Sequence, residues 1–429
     1  MPPRKRGRTC TEGFSDEDYC NNRCDTRPTK ATPRLPQRGG ARRSAAPPCD
    51  AARLRQGGWA GQWEAGDTRD DIQWSPANCA LNRPSAADLR SCLRGRRIVM
   101  VGDCVMRYQY LSLVHLLEVG EHGPSVVDPQ RLEETMDGLA ADGRNGSSQP
   151  PALPRSISVG FSLARFRRSG KTDYAAFYTR SSAMLRGHEH CDCSGGRGGL
   201  GGRIENRHYN HKQLNLSVAF YFLKGMRYAV HGKESGGPRG ESGGASRHAW
   251  SYRHDIPGFL REQVAPRSPH VLVLNIGIWW FKADYARAAL NASWWARTLD
   301  AAGAAVAPQH GRVLYRTTTP PSPWRRKDND GVDQELLRSN GVDAVVRRLV
   351  EERAPPAGAT AETDTPTTGA TFGLFDTFRV AAGFPRTHCH VRGGEGALIK
   401  FYTDDMHLQP FVYREFNALL YAIVGCGAG

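Results

Sequence analysis

The stretch Arg96–Glu118, RRIVMVGDCVMRYQYLSLVHLLE, contains the change of structure that decides the fold. Its first part is a short apolar run, which is typical of a buried strand. After Gly102-Asp103-Cys104 the apolar residues recur at helical spacing, which predicts a helix. A strand that turns directly into a helix places Cys104 at the helix N-terminus, where a chain often holds a functional group.

The rest of the chain alternates between strand and helix patterns. We predict strands at 216–225, 270–277, 312–320 and 372–378, and helices at 254–266, 285–305, 340–354 and 408–425. This alternation predicts an α/β fold with a mostly parallel sheet covered on both faces. In such sheets the site lies beyond the carboxyl ends of the strands, where both the VGDC and NIGIWW segments end.

Composition divides the chain into three predicted parts. We expect residues 1–48 to be a basic disordered tail and 49–94 to be a lead-in that contains Cys and Trp. Residues 95–426 are expected to form one domain with long loop insertions at 119–155, 186–205 and 231–248. The formal net charge of +15 favours polyanionic partners, or it reflects only a coding bias towards Arg. Because the Arg residues are scattered and no nucleic-acid-binding motif is present, no nucleic acid partner is expected.

The sequence is compatible with more than one cellular compartment. No window approaches the length of a membrane-spanning apolar run, so we expect no membrane span and no signal peptide in this sequence. A cytoplasmic protein and a secreted one whose targeting segment is missing are both compatible with that pattern. The 11 Cys residues and the sequons at Asn145, Asn215 and Asn291 favour the secretory pathway.

Cys104 and two residues near the C-terminus are the candidate catalytic groups. Backbone N–H groups at a helix N-terminus stabilise a thiolate and an oxyanion, as a nucleophile requires. Asp404 and His407 stand at D-x-x-H spacing, so the carboxylate can orient the imidazole while its other nitrogen acts as a base. The alternatives are a buried structural Cys104 and an Asp404 that only caps the last helix.

Together these motifs resemble the SGNH/GDSL hydrolase superfamily, and more closely its PC-esterase branch, the trichome-birefringence-like polysaccharide O-acetyltransferases. The similarity runs in order over 49–425, through CDAARLRQGGW, WSPANCAL, VGDCVMRYQYLSLVHLL, LNIGIWW, YRTTTP and TDDMHLQP with its closing helix.

This resemblance implies a three-layer fold, a catalytic triad and transfer of an acyl group to a carbohydrate. The family's nucleophilic Ser is here Cys104, while Asp404 and His407 match the other two triad positions. The implied function is that of an O-acyltransferase or esterase in the secretory pathway or Golgi. The alternative is a catalytically inactive protein of this fold that binds carbohydrate or acts as a scaffold.

Several further residues are candidates for the oxyanion hole or for substrate binding. For Asn275 the structural alternative is a hydrogen bond within a loop. For the two tryptophans it is packing in the core. Arg107 and Gln109 are expected to orient structure or substrate and to transfer no proton. The full set is Gly225, Asn275, Gly277, Arg107, Gln109, Trp279 and Trp280.

No metal or other cofactor is predicted; the acyl donor is expected to be a small co-substrate and the acceptor a carbohydrate or polysaccharide. The segment HEHCDC (188–193) together with His388, Cys389 and His390 offers zinc ligands, but it lacks the C-x-x-C spacing of the usual zinc modules. A disulfide between these regions, or plain loops, is the favoured alternative. If Cys104 is free, ten Cys residues remain, an even number that is consistent with disulfides.

Overall fold

The computed structural model describes most of the region that carries the predicted elements. The described residues are 34–36, 46–55, 59–66, 72–120, 188–194, 204–224, 227–231, 250–253, 255–275, 291–320, 341–354, 369–384, 391–392, 398–399, 401–402 and 407–426.

One large sheet dominates the described structure, with strand order β11-β10-β9-β3-β6-β5-β4 and with β7 and β8 continuing from β6. Two smaller hairpins, β1-β2 and β12-β13, lie outside it. The strands are β1 (Gly61–Ala65), β2 (Ile72–Pro76), β3 (Arg97–Gly102), β4 (Glu189–Ser194), β5 (Ile204–His211), β6 (Leu216–Lys224), β7 (Arg227–His231), β8 (Trp250–Arg253), β9 (Val271–Leu274), β10 (Arg312–Arg316), β11 (Thr371–Phe375), β12 (Val391–Arg392) and β13 (Leu398–Ile399).

The five strands from β11 to β6 are parallel, whereas β5 and β4 continue the sheet in antiparallel pairing. In the parallel part, Val101 pairs with Leu274, and Leu274 pairs with Tyr315. The carboxyl ends of β3, β9 and β10 therefore lie side by side. This confirms the predicted mostly parallel α/β sheet and the predicted common edge of the VGDC and NIGIWW strands.

Helices cover both faces of this sheet. They are α1 (Ala51–Arg53), α2 (Ala86–Cys92), α3 (Cys104–Val119), α4 (Ile256–Phe259), α5 (Ala292–Val306), α6 (Gly341–Arg353), α7 (Thr377–Ala382) and α8 (Pro410–Ile423). Because side chains alternate along a strand, Ile98 and Met100 face a core formed with α3 and α8, and Val99 and Val101 face a second core formed with α4 and α5. The result is the predicted three-layer arrangement.

Two predicted strands end earlier than the apolar pattern indicates. The strand predicted at 312–320 ends at Arg316. Thr317 N still donates to Phe375 O, but Thr318 N donates to the buried Asp343 carboxylate and not to a strand. The strand predicted at 372–378 ends at Phe375, because Asp376 caps α7 and accepts a hydrogen bond from Arg379 N. In both places hydrogen bonds from the backbone to a buried carboxylate override the strand propensity of the residues that follow.

The lead-in packs against the C-terminal helix. The Trp63 ring contacts Trp74, Phe401 and Phe411, and its indole N–H donates to Val380 O at 3.0 Å. Leu35, inside the predicted tail, is also buried in this core. Two disulfides join Cys49 to Cys79 and Cys92 to Cys426.

The three predicted insertions are described only in part. The segment 186–205 contains β4 and the first residues of β5, so a stretch of it pairs into the sheet. Residues 121–155 and 232–248 lie outside the described residues. Among the described helices, none is both long and apolar enough to cross a bilayer.

Candidate active site

The strand-to-helix turn at Gly102-Asp103-Cys104 has the close packing that a glycine permits. A Cβ at Gly102 would lie 2.8 Å from Met106 Cβ and 3.1 Å from Asn275 O. The next residue, Asp103, is the N-cap of α3, and its Oδ1 accepts from Val105 N at 3.0 Å and from Met106 N at 3.2 Å. The turn is therefore fixed from both sides, by the neighbouring strand and by the helix cap.

Cys104 is the first residue of α3 and lies at the carboxyl end of β3. Among the cysteines whose side chains the structure describes it is the free one, and only 6% of it is exposed. A thiol at this place lies at the helix N-terminus, where the helix dipole favours negative charge.

His407 lies against the helix face that carries Cys104. Its ring meets the Tyr108 ring edge-on, with 4.9 Å between the ring centroids. Tyr108 follows Cys104 by four residues, which places the two side chains on the same side of α3. The Tyr413 hydroxyl holds the neighbouring backbone, because it accepts from Leu408 N at 3.2 Å. Two tyrosines from α3 and α8 thus position His407.

The segment that carries His407 is also tied to the strand edge. Tyr402 and Leu408 form a β-bridge, and Gln409 N donates to Phe401 O at 2.9 Å. The Tyr402 hydroxyl donates to Pro320 O at 2.9 Å, just beyond β10. In the sequence Asp404 falls between Tyr402 and His407, and it is outside the described residues.

Arg316, the last residue of β10, brings a buried positive charge to the same place. It is 1% exposed, and its guanidinium lies 5.2 Å from the centre of the Phe416 ring. Burial lowers the pKa of Arg316 below its ordinary value, and the nearby Asp103 and Cys104 side chains act against this shift. Its Nε and Nη2 have no hydrogen-bond partner among the described residues. A cation with unused donors therefore lies within electrostatic reach of Cys104.

Arg107 and Gln109 occupy buried positions along α3. The Arg107 guanidinium lies over the Tyr108 ring at 4.8 Å and its Nη2 donates to the Tyr108 hydroxyl at 3.2 Å. Gln109 is fully buried, and neither polar atom of its side chain has a hydrogen-bond partner among the described residues. Arg107 thus supports the tyrosine that contacts His407, and the roles predicted for both residues remain predictions.

Asn275 joins the ends of two strands. Its Nδ2 donates to Arg316 O at 2.7 Å and to Thr318 Oγ1 at 3.2 Å, and its backbone N donates to Val101 O at 2.8 Å. Both amide hydrogens therefore hold the loop after β10 in this structure. Asn275 contributes to the site by fixing the backbone of Arg316; its predicted role as an oxyanion donor remains a prediction.

The loop after β10 is held in turn by a buried carboxylate. Asp343 of α6 accepts from Thr318 N at 2.8 Å and from the Tyr315 hydroxyl at 2.6 Å. Burial raises the pKa of Asp343 from 3.8 to about 6, against the opposing effect of these hydrogen bonds. The remaining predicted site residues Gly225, Gly277, Trp279 and Trp280 lie outside the described residues.

Sequence reasoning missed three residues of this arrangement: Tyr108, Tyr413 and Arg316. The spacing of four residues between Cys104 and Tyr108 on a predicted helix was a usable signal. Arg316 lies in the YRTTTP motif and Tyr413 lies five residues after Leu408, but neither pattern indicates a contact with α3, because Tyr108 and Asp103 are distant in the sequence. Chemically, a thiol, an imidazole and a buried guanidinium at one sheet edge can support attack on a carbonyl carbon and hold the resulting negative charge.

Comparison with known proteins gives partial similarities. No model of a known protein family matches the chain. Three proteins of Oryza sativa subsp. japonica are similar to parts of it. Probable xylan O-acetyltransferase 11 is 38% identical over 68 residues, which is 16% of this chain and 17% of that protein. Probable xylan O-acetyltransferase 10 is 29% identical over 115 residues, 27% of this chain and 23% of the relative.

Probable xylan O-acetyltransferase 9 is 27% identical over 179 residues, which is 42% of this chain and 34% of the relative. The chain thus spans about a third or less of the length of each of these relatives. It shares weak, partial homology with proteins named as xylan O-acetyltransferases.

Proposed function

We propose that this protein is an O-acyltransferase or acyl esterase that acts on a polysaccharide, with Cys104 as its nucleophile. The observation that carries the proposal is the buried, free Cys104 at the start of α3, with His407 packed on Tyr108 one helical turn away. The similarity to proteins named as xylan O-acetyltransferases supports acyl transfer to a polysaccharide.

The first half of the reaction forms an acyl-enzyme. His407 takes the proton of the Cys104 thiol as the sulfur attacks the carbonyl carbon of the acyl donor. The tetrahedral oxyanion collapses, the bond to the donor oxygen breaks, and His407 returns the proton to that leaving group. Asp404 orients the imidazole in this scheme, as the D-x-x-H spacing predicts. The backbone N–H of Cys104 and the Arg316 guanidinium stabilise the negative charge, since Val105 N and Met106 N already donate to Asp103.

The second half transfers the acyl group from sulfur to oxygen. A hydroxyl of the acceptor loses its proton to His407 and attacks the thioester carbonyl, after which the carbon–sulfur bond breaks and the thiol recovers the proton. A carbohydrate hydroxyl gives transfer, and water gives hydrolysis. Xylan is the first acceptor to test, because the similar proteins carry xylan in their names. The two disulfides support a location in an oxidising compartment.

Replacing Cys104 tests the nucleophile. Acyl transfer is measured with p-nitrophenyl acetate as donor, with water or xylo-oligosaccharides as acceptor, and the products are followed by mass spectrometry. Cys104→Ser should keep measurable activity, because His407 can also activate a hydroxyl. Cys104→Ala should lower kcat by roughly 10³-fold or more. Iodoacetamide should inactivate the parental protein and leave the activity of Cys104→Ser unchanged.

Three outcomes decide between the candidates. An acyl group trapped on the Cys104 peptide supports the mechanism. A folded Cys104→Ala variant with parental activity contradicts it. If the parental protein releases no product and traps no acyl group, yet retains xylo-oligosaccharides on a column, the alternative of a non-catalytic carbohydrate-binding protein replaces the proposal.

A further inference from the structure

Three side chains meet at the end of the molecule opposite Cys104. Glu118 lies in the last turn of α3, His188 immediately precedes β4, and His211 is the last residue of β5. One ligand atom from each lies within 4.8 Å of the others. Because β5 runs antiparallel to β6, His211 lies at the edge of the sheet where β3 and β6 begin.

This cluster is separate from the candidate active site. The rise per residue of an α-helix places Cys104 and Glu118 about 21 Å apart along α3. A ligand bound at Glu118 therefore has no direct contact with the chemistry at Cys104, and the cluster is unexplained by the proposed function.

We propose that Glu118, His188 and His211 form a binding site for a divalent transition metal, with Zn²⁺ as the ion of choice. Two imidazole nitrogens and one carboxylate form a donor set that Zn²⁺ binds well. Tetrahedral zinc with bonds near 2.1 Å places its ligand atoms about 3.4 Å apart, so the present spacing needs only small side-chain shifts. One ligand lies on α3, one is the last residue of β5 and one immediately precedes β4, so regular structure holds them in place.

The surroundings of the cluster also fit a metal. The Glu118 side chain is only 4% exposed, and its Oε2 lies 2.9 Å from His188 Nδ1. The Tyr209 hydroxyl donates to the same oxygen at 2.9 Å, as the outer partner of a ligating carboxylate does. His211 Nδ1 is buried and has no hydrogen-bond partner among the described residues. The His211 imidazole, which as a whole is partly exposed, therefore retains a ring nitrogen that can coordinate a metal.

The neighbouring cation Arg90 is directed elsewhere. Its Nε donates to Leu117 O at 2.6 Å and its Nη2 donates to Glu118 O at 3.2 Å, so the guanidinium caps the carbonyl end of α3. Both of these hydrogen bonds go to backbone carbonyls of α3, although the Arg90 charge still acts on His211.

A metal here would fasten the outer part of the sheet. β4 is the edge strand of the described sheet and pairs only with β5. The chain leaves α3 near Glu118 and returns at His188 after a long segment. Because the unfolded chain has no preformed site, the free energy of metal binding adds directly to the folding stability. We therefore assign the site a structural role.

Metal binding to the full chain tests the proposal. Protein stripped with a chelator is titrated with Zn²⁺, metal content after dialysis is measured by mass spectrometry, and the unfolding temperature is recorded with and without the ion. The parental protein should retain one equivalent of Zn²⁺ and unfold at a higher temperature when loaded. His188→Ala and His211→Ala should each weaken binding more than 10-fold.

Two controls keep the result specific. His190→Ala removes an exposed imidazole from the same strand and should retain the metal. Tyr209→Phe removes the outer hydrogen bond but no ligand and should retain the metal with weakened affinity. If the ligand variants fold poorly, Co²⁺ bound to the parental protein gives the answer, because nitrogen and oxygen ligands produce visible d–d bands without thiolate charge-transfer bands.

The proposal is wrong if the parental protein keeps no metal after dialysis, or if both histidine variants bind as the parental protein does. A strong thiolate charge-transfer band in the Co²⁺ spectrum also overturns it, since the metal would then be held by cysteine.

Discussion

Charged groups that are buried without matching partners mark the residues most relevant to function. Arg316 is the clearest case, because a guanidinium with unused donors is costly to bury and is seldom kept for stability alone. Of the groups that act electrostatically on it, the first is Asp103, which lies more than two hundred residues away in the sequence. We infer that Arg316 stabilises the negative charge that develops beside Cys104 during acyl transfer.

Arg316→Met tests this inference. The substitution keeps much of the side-chain volume and removes the charge, so kcat/KM for p-nitrophenyl acetate should fall by roughly 100-fold. Arg316→Lys should restore part of the activity. Arg312→Met is the matched control, since Arg312 begins the strand that Arg316 ends, and its activity should stay near the parental value. Unchanged turnover in Arg316→Met would show that the guanidinium has no part in the reaction.

Asp343 should make the stability depend on pH. Its pKa is raised from 3.8 in the unfolded chain to about 6 in the folded protein, so the folded state binds the extra proton. The resulting stabilisation is complete below pH 4 and is lost as the pH rises through 6, by about 3 kcal/mol at most. Asp343→Asn should remove this pH-dependent part of the unfolding free energy, measured with urea from pH 4 to 7.

The exposed Asp300 of α5 provides the control for that measurement, because Asp300→Asn should leave the pH profile unchanged. A parental profile and an Asp343→Asn profile that run parallel over this range would contradict the assignment.

The candidate site was predictable where its signals are local. Cys104 stands where an apolar run changes to helical spacing. His407 stands three residues after Asp404 and just before a helix. A few neighbouring residues are therefore enough to predict both. Arg316 could not be identified in this way. Its significance depends on Asp103, Tyr413 and Asp343, which approach it only through the register of the sheet and the packing of α8.

At the level of elements, α8 connects the lead-in to the sheet. Glu415 of α8 is fully buried, accepts from Trp74 N at 3.0 Å and pairs with Arg83 at 2.5 Å. Burial alone would raise the pKa of Glu415, but the charges of Arg83 and Arg414 outweigh it and hold the pKa below its ordinary value. The ion pair thus fixes the lead-in against the helix that follows His407.

Arg83→Met should destabilise this contact. Glu415 would then lose its main partner while it stays buried, and the unfolding free energy should fall by about 3 kcal/mol at neutral pH. The loss should shrink well below pH 4.5, where Glu415 takes up a proton. Urea unfolding provides the measurement, and Arg94→Met, at an exposed arginine, should have little effect. Equal stabilities for the two variants would contradict the role of the ion pair.

The whole molecule is built from two cores separated by one sheet. The alternation of buried residues along β3 assigns Ile98 and Met100 to one core and Val99 and Val101 to the other. This division follows from the apolar pattern and was predictable. The position of the lead-in was not, because Trp63 and Trp74 reach α8 through contacts that span more than three hundred positions in the sequence.

The bond between Cys92 and Cys426 makes a covalent ring of the chain from one of these residues to the other. A protease that cuts once inside this ring opens it without releasing a fragment. We expect singly nicked protein to migrate as one band of nearly unchanged mass on a denaturing gel, and to separate into two pieces only after a reductant is added. Separation without reductant would show that the ring is open in solution. For the same reason, a break in one of the long connecting segments leaves the two sides of the candidate active site on a single covalent molecule.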